Sequence, residues 1–79
     1  MKVTVKLHTT LKKFAPPDSA GGKVPMTLAD GATVRSVTEA LGIPGEFVGA
    51  VFLGPARADL DAALSEGVEV NLLAPIGGG

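Results

Sequence analysis

Val68-Glu69-Val70-Asn71-Leu72-Leu73-Ala74-Pro75-Ile76-Gly77-Gly78-Gly79 is a strand pattern that runs into glycine. Apolar and polar side chains alternate over its first half, which predicts a strand from residue 68 to about residue 74 with one buried face. The side chains expected to be buried are those of Val68, Val70 and Leu72. Glycine has no Cβ, so the last three residues add nothing to a core and let another surface approach the main chain closely.

The glycine tail has two interpretations. Chain ends are commonly disordered unless they are tied down, so the tail can be an inert, frayed end. Alternatively, the terminus with its carboxylate enters another protein. The rest of the chain favours the second interpretation, because no other stretch of it carries recognisable chemistry.

Two strands are predicted near the N terminus. Residues 3–7 alternate between apolar and polar side chains, and residues 24–28 repeat the pattern. Pro25 predicts an edge position for the second strand, because proline lacks the N–H that a central strand needs. The connection between the strands leaves room for a short helical turn at residues 11–14, and together the two strands predict a hairpin with a long loop.

A short helix is predicted after Asp30-Gly31. Thr33 suits the N-cap, Gly42 suits a left-handed C-cap, and Pro44 prevents continuation. The apolar residues of one helix face are Val34, Val37 and Leu41. A helix of about nine residues does not persist alone, so it is expected to pack on the sheet.

Residues 48–53 predict a third strand, which ends at the turn Gly54-Pro55. The alternation along this strand predicts that the side chains of Val48, Ala50 and Phe52 lie on its buried face. The elements together predict an α+β fold, a mixed sheet of four or five strands with one main helix on one face. Val51 and Leu73 are then apolar residues on the open face, where we expect them to contribute to a partner surface.

Composition excludes several classes of function. Seven Lys and Arg against eight Asp and Glu give a net charge of −1, and the three aromatic residues are all Phe. Neither feature favours a nucleic-acid partner. The chain has no cysteine, so it offers no thiolate ligand or sulfur nucleophile. We expect no metal site and no membrane segment, and a cytoplasmic location.

The order of the elements resembles the MoaD/ThiS family of ubiquitin-like sulfur carrier proteins. The most specific pieces are residues 30–34 at the helix start, residues 60–70 before the last strand, and the terminal glycines. The resemblance covers nearly the whole chain and implies a β-grasp domain, residues 1–74, followed by a flexible glycine tail, residues 75–79. Two departures are the third terminal glycine and Phe52-Leu53-Gly54, where many relatives have an Asn-Gly turn.

The resemblance also implies a mechanism. An E1-like adenylyltransferase of the MoeB/ThiF type uses ATP to adenylate the carboxylate of Gly79. A persulfide sulfur from a sulfurtransferase then displaces AMP and leaves a thiocarboxylate. The residues implied to bind inside the partner are Pro75, Ile76, Gly77 and Gly78. The five tail residues can extend about 17 Å, enough to reach a buried site.

Within the family, the exit Ala74-Pro75-Ile76, the length and the long first loop are most similar to the small subunit of molybdopterin synthase. This similarity implies a co-substrate that binds no cofactor, is not an enzyme alone, and delivers sulfur to the large subunit of that synthase. The open alternatives are a carrier for thiamine or another sulfur-containing metabolite, a ubiquitin-like modifier attached to lysines, and an interaction module with an inert tail. Whether Gly79 or, after trimming, Gly78 is the reactive end is also open.

Overall fold

The computed structural model describes residues 1–17, 19 and 21–75. These residues form a five-stranded mixed sheet with one α-helix and two short 3₁₀-helices. The strands are β1 (Lys2–Leu7), β2 (Lys23–Thr27), β3 (Ala50–Leu53), β4 (Ala56–Ala58) and β5 (Glu69–Leu73). The helix α1 spans Val34–Leu41, and the 3₁₀-helices span Thr9–Phe14 and Gly45–Phe47.

The strand order in the sheet is β2-β1-β5-β3-β4. β1 and β5 are parallel neighbours, whereas the other pairs are antiparallel. Pro25 therefore lies in an edge strand, as predicted, opposite Thr4. Because β1 and β5 run in the same direction, the chain leaves β5 at the end of the sheet where β1 passes into the first 3₁₀-helix.

The core lies between the sheet and α1. The predicted alternation is confirmed in β1 and β5, since Val5, Val70 and Leu72 are fully buried. Val68, also predicted to be buried, lies just before β5 and is half-buried. Val34 and Val37 of α1 are also fully buried and belong to the same core cluster. The short helix is therefore held by burial of its apolar face, which its length requires.

Thr33 and Gly42 bound α1 as predicted. The N–H of Thr33 donates to the Ser36 hydroxyl at 3.1 Å. The N–H groups of Val34 and Arg35 donate to the carbonyls of Ala62 and Leu60 in the loop before β5. That loop is irregular, and its carbonyls accept from donors that a helix N terminus leaves unsatisfied.

The second half of the sheet differs from the sequence-based prediction at Val51 and contains one strand, β4, that was not assigned. Val51 was expected on the open face, but it is only 3% exposed and lies in the core, opposite Leu72. The phase of β3 is therefore the reverse of the prediction, and Ala50 and Phe52 face outward. β4 was not predicted as a strand, because Ala-Arg-Ala is short and its alanines have low strand propensity.

Two glycines with positive φ allow a matched stability test. Gly22 (φ 79°) and Gly42 (φ 73°) share a left-handed backbone, but a Cβ on Gly22 would lie 2.6 Å from the Leu7 carbonyl oxygen, whereas Gly42 faces open space. We expect Gly42→Ala to cost about 1 kcal/mol for its backbone alone. Gly22→Ala should cost a further ~1–3 kcal/mol for the clash. Urea unfolding measures the free energy of unfolding of both variants. Equal losses of stability in the two variants would contradict the close approach at Gly22.

Candidate functional site

The candidate site is the end of the sheet where the chain leaves β5, together with the open face beside it. Leu73, the last residue of β5, pairs with Ala50 of β3 and is half-buried. Pro75 follows and is exposed. The predicted tail residues Ile76, Gly77, Gly78 and Gly79 lie outside the described residues.

A row of side chains crosses four strands on the open face. Lys6 pairs with Asn71, Asn71 with Phe52, and Phe52 with Arg57. Directly paired residues point to the same side of a sheet. The Arg57 guanidinium lies 5.9 Å from the centre of the Phe52 ring, within the range of a cation–π contact.

Leu73 and Ala50 form the next pair on the same side of the sheet, since both lie two residues from a member of that row. We call Ala50, Phe52, Arg57 and Leu73 the open-face patch. Leu73 thus lies on the face on which it was predicted. Val51 lies in the core instead. Phe52 occupies the open-face position that was predicted for Val51.

A polar network borders the patch. The Asn71 amide nitrogen donates to Glu69 Oε1 at 3.1 Å, because an ionised carboxylate can only accept. The Asn71 Oδ1 then faces His8 Nε2 at 3.0 Å, so this histidine nitrogen carries the proton and donates. Lys6 Nζ lies 3.2 Å from Glu69 Oε2. The network fixes the Asn71 side chain in the middle of the sheet, next to Phe52.

The hydrogen bond from Asn71, followed by the one from Lys6, lowers the pKa of Glu69 below its ordinary value. Because the folded pKa is below the unfolded one, ionised Glu69 stabilises the fold above the unfolded pKa, and this contribution is lost as pH falls through the folded pKa.

We expect Asn71→Ala to raise the pKa of Glu69 toward its ordinary value, since it removes the largest cause. The difference in free energy of unfolding between Asn71→Ala and the wild type should shrink below pH about 4. A titration of the Glu69 carboxyl carbon followed by ¹³C NMR measures this pKa, with Lys13→Ala as the control variant. An unchanged Glu69 titration in Asn71→Ala would contradict the network.

An aromatic cluster flanks the chain exit. The Phe14 and Phe47 rings meet edge to face with centroids 6.0 Å apart, and Lys13 Nζ lies 5.5 Å from both centroids. Phe47 is 40% exposed, the one large hydrophobic residue with this exposure in the described chain. It lies two residues before Gly49, whose backbone touches Pro75. Phe47 therefore offers an exposed apolar ring, two residues from the backbone that touches the exit, that is suited to contact another protein.

The groups gathered at the site are ones that can bind another protein. Any reaction at the site depends on the residues that follow Pro75. In residues 1–17, 19 and 21–75, no three His, Cys, Asp or Glu side chains gather as a metal site would require. In the same residues, no helix is long and apolar enough to cross a bilayer. The arrangement can hold a partner against the open face, next to the point where the chain leaves the sheet at Pro75.

Phe52, Arg57 and Gly49 are residues of the site that were missed from the sequence. Phe52 was missed because β3 is apolar on both faces, so alternation does not select its buried side. Arg57 was missed because β4 was not predicted as a strand. Gly49 was missed although a signal existed: an isolated glycine in a strand-like run indicates a bulge or a close backbone approach. Its partner, the Ala74-Pro75 backbone, is far away in sequence and is brought close by the pairing of β3 with β5.

The fold is that of ubiquitin-like β-grasp proteins. The chain is similar to SAMP1 from Haloferax volcanii, with a TM-score of 0.73 and 24% identity over 100% of both chains. It is also similar to a putative molybdopterin converting factor, subunit 1, from Pyrococcus furiosus. That likeness has a TM-score of 0.71 and 19% identity over 95% of this chain and 98% of that one. At these identities the likeness concerns the fold, and it confirms the predicted β-grasp architecture.

No curated protein matches the chain in sequence. A family model described as Mut7-C ubiquitin, however, matches residues 1–75, which include all five strands and the helix. This match and the two structural neighbours agree with the resemblance to the MoaD/ThiS family. The chain belongs to the Mut7-C ubiquitin family.

Proposed function

We propose that this protein is a sulfur carrier whose C-terminal glycine is adenylated by an E1-like enzyme and then converted to a thiocarboxylate. The observation that carries the proposal is the exit of the chain from β5. The strand lies inside the sheet, pairs with β1 and β3, and releases the chain at exposed Pro75 beside the open-face patch. A folded body that leads into a short glycine-rich segment at one end suits delivery of a terminal carboxylate to another protein's site.

The chemistry proceeds in three steps. A carboxylate oxygen of Gly79 attacks the α-phosphorus of ATP, pyrophosphate leaves, and an acyl-adenylate forms. The terminal sulfur of a persulfide then attacks the acyl carbon, and AMP leaves. A thiol finally cleaves the resulting S–S bond, which gives the thiocarboxylate and a disulfide. The ATP and the sulfur belong to partner proteins, in agreement with the absence of cysteine here.

The tail and the open face have different tasks in this proposal. Pro75, Ile76, Gly77 and Gly78 lie in the partner's channel, and Pro75 restricts the base of the arm, which lowers the entropy lost on binding. Leu73 and Phe52 contact the partner's surface from the open face. Both are half-buried, so the folded body offers a pre-formed apolar surface with Arg57 at its border.

Within this function we propose that the sulfur goes to molybdopterin in the cytoplasm. The support is the likeness in fold to a putative molybdopterin converting factor, subunit 1, together with the resemblance of the Ala74-Pro75-Ile76 exit. The protein is then a co-substrate and small subunit, and the large subunit of molybdopterin synthase performs the transfer. Delivery to thiamine or another metabolite would use the same carrier chemistry with a different acceptor.

Reconstitution tests the proposal. The purified protein is incubated with ATP and the E1-like enzyme of its own organism, with and without a persulfide-loaded sulfurtransferase, and its intact mass is measured. We expect the adenylate without the sulfur donor and the thiocarboxylate with it, and no change when ATP is left out. An unchanged mass in the complete mixture would refute the proposal. Attachment to lysines of other proteins would point to the modifier alternative.

A further inference from the structure

The backbone of Gly49 lies directly against the base of the tail. Its N–H donates to the Leu73 carbonyl at 2.7 Å, just before β3 begins. A Cβ built on Gly49 would lie 2.5 Å from Pro75 Cα, 2.7 Å from Pro75 N and 2.9 Å from the Ala74 carbonyl carbon. Three main-chain atoms of the exit segment therefore occupy the space that a side chain would need.

Glycine is required here for space and not for its backbone conformation. Gly49 is not among the glycines with positive φ, so alanine could adopt its backbone. The clashing atoms belong to the main chain, and no side-chain rotation moves them away. Pro75 Cα would have to move from 2.5 Å to at least 3.4 Å from a new Cβ, a displacement of about 0.9 Å.

We propose that Gly49 is a positioning residue for the tail. By admitting Ala74 and Pro75 against the start of β3, it fixes where the arm begins and in which direction it leaves relative to the open-face patch. Because the remaining residues leave the folded body from Pro75, a displacement of Pro75 Cα moves the point at which the arm begins. This inference rests on the proposed function and assigns to Gly49 the alignment of the terminal carboxylate for adenylation.

The alignment is expected to affect the chemical step more than docking. The proposed function assigns docking to the open-face patch, and the atoms that an added Cβ at Gly49 would meet belong to Ala74 and Pro75, outside that patch. The carboxylate, in contrast, must meet the α-phosphorus of ATP in line, and a misplacement of 1 Å can cost about 100-fold in rate. A positioning role therefore predicts a lower kcat with a nearly unchanged KM for this protein.

The test compares Gly49→Ala with Gly45→Ala in adenylation by the E1-like enzyme. Gly45 is a matched control, because it also has no positive φ and its added Cβ would meet only Leu60 Cδ1, at 3.5 Å. For Gly49→Ala we expect kcat to fall by roughly 10- to 100-fold and KM to change less than about twofold. For Gly45→Ala both constants should equal those of the wild type.

Equal kcat values for Gly49→Ala and Gly45→Ala would overturn the positioning role while leaving the proposed function intact. Absence of adenylation of the wild type would refute the proposed function itself. If Gly49→Ala does not fold, an NMR measurement on the wild type decides. A nuclear Overhauser effect between the Gly49 Hα and Pro75 Hα protons supports the placement, and its absence overturns it.

Discussion

Deletion of Gly78 and Gly79 is expected to abolish adenylation and thiocarboxylate formation and to leave the melting temperature nearly unchanged. Activity is lost because the carboxylate then ends two residues short, about 7 Å from the place it must reach. Stability is kept because the core side chains of the described residues lie between Val3 and Leu72. Intact mass after incubation with ATP and the E1-like enzyme measures the first effect, and thermal unfolding followed by circular dichroism measures the second.

The matched control is deletion of Gly79 alone. If the working carboxylate belongs to Gly78, this variant is adenylated as well as the full chain, and if it belongs to Gly79, adenylation falls steeply. A large fall in melting temperature in the double deletion would contradict the proposed role of the tail, because it would mean that the last glycines hold the fold together.

Leu72→Ala is expected to destabilise the fold by about 2–5 kcal/mol, whereas Leu73→Ala should cost less than about 1 kcal/mol. The two leucines are neighbours in β5, but Leu72 is fully buried and Leu73 is half-buried on the open face. The free energy of unfolding of a small domain is only about 5–15 kcal/mol, so the first change removes a large share of it. Urea unfolding followed by far-UV circular dichroism is the suitable measurement, because the chain has no Trp or Tyr.

Leu73→Ala also separates stability from function. If the open-face patch contacts the activating enzyme, this variant should fold like the wild type but show a higher KM in adenylation. Equal destabilisation by the two alanine substitutions would contradict the assignment of buried and open faces in β5. An unchanged KM for a folded Leu73→Ala variant would remove Leu73 from the partner surface.

The buried side of an element can be predicted from the sequence where its other face is polar. β1 and β5 alternate cleanly, so their buried sides were predicted correctly, and Thr33 and Gly42 bounded α1 through their capping chemistry. β3 lacks this information, since Ala50, Val51, Phe52 and Leu53 are all apolar. The buried side of β3 is determined by its pairing with β5, in which Val51 lies opposite Leu72. The order of residues within β3 does not reveal that pairing.

The candidate site was only partly predictable for the same reason. The tail and Leu73 could be identified from the last strand alone, because they follow from a local pattern. The His8–Asn71–Glu69 network and the contact between Gly49 and Pro75 join residues far apart in the chain. They exist because β1, β5 and β3 lie side by side, which becomes known only once the strand order is known.

The most direct test of the sulfur-carrier function is the intact mass of the protein purified from its native host under non-reducing conditions. We expect a population whose mass differs from that of the unmodified chain by the exchange of one oxygen for sulfur, located by fragmentation in the C-terminal glycine. A population that carries only the unmodified carboxylate, in cells actively making sulfur-containing cofactors, would contradict the sulfur-carrier function.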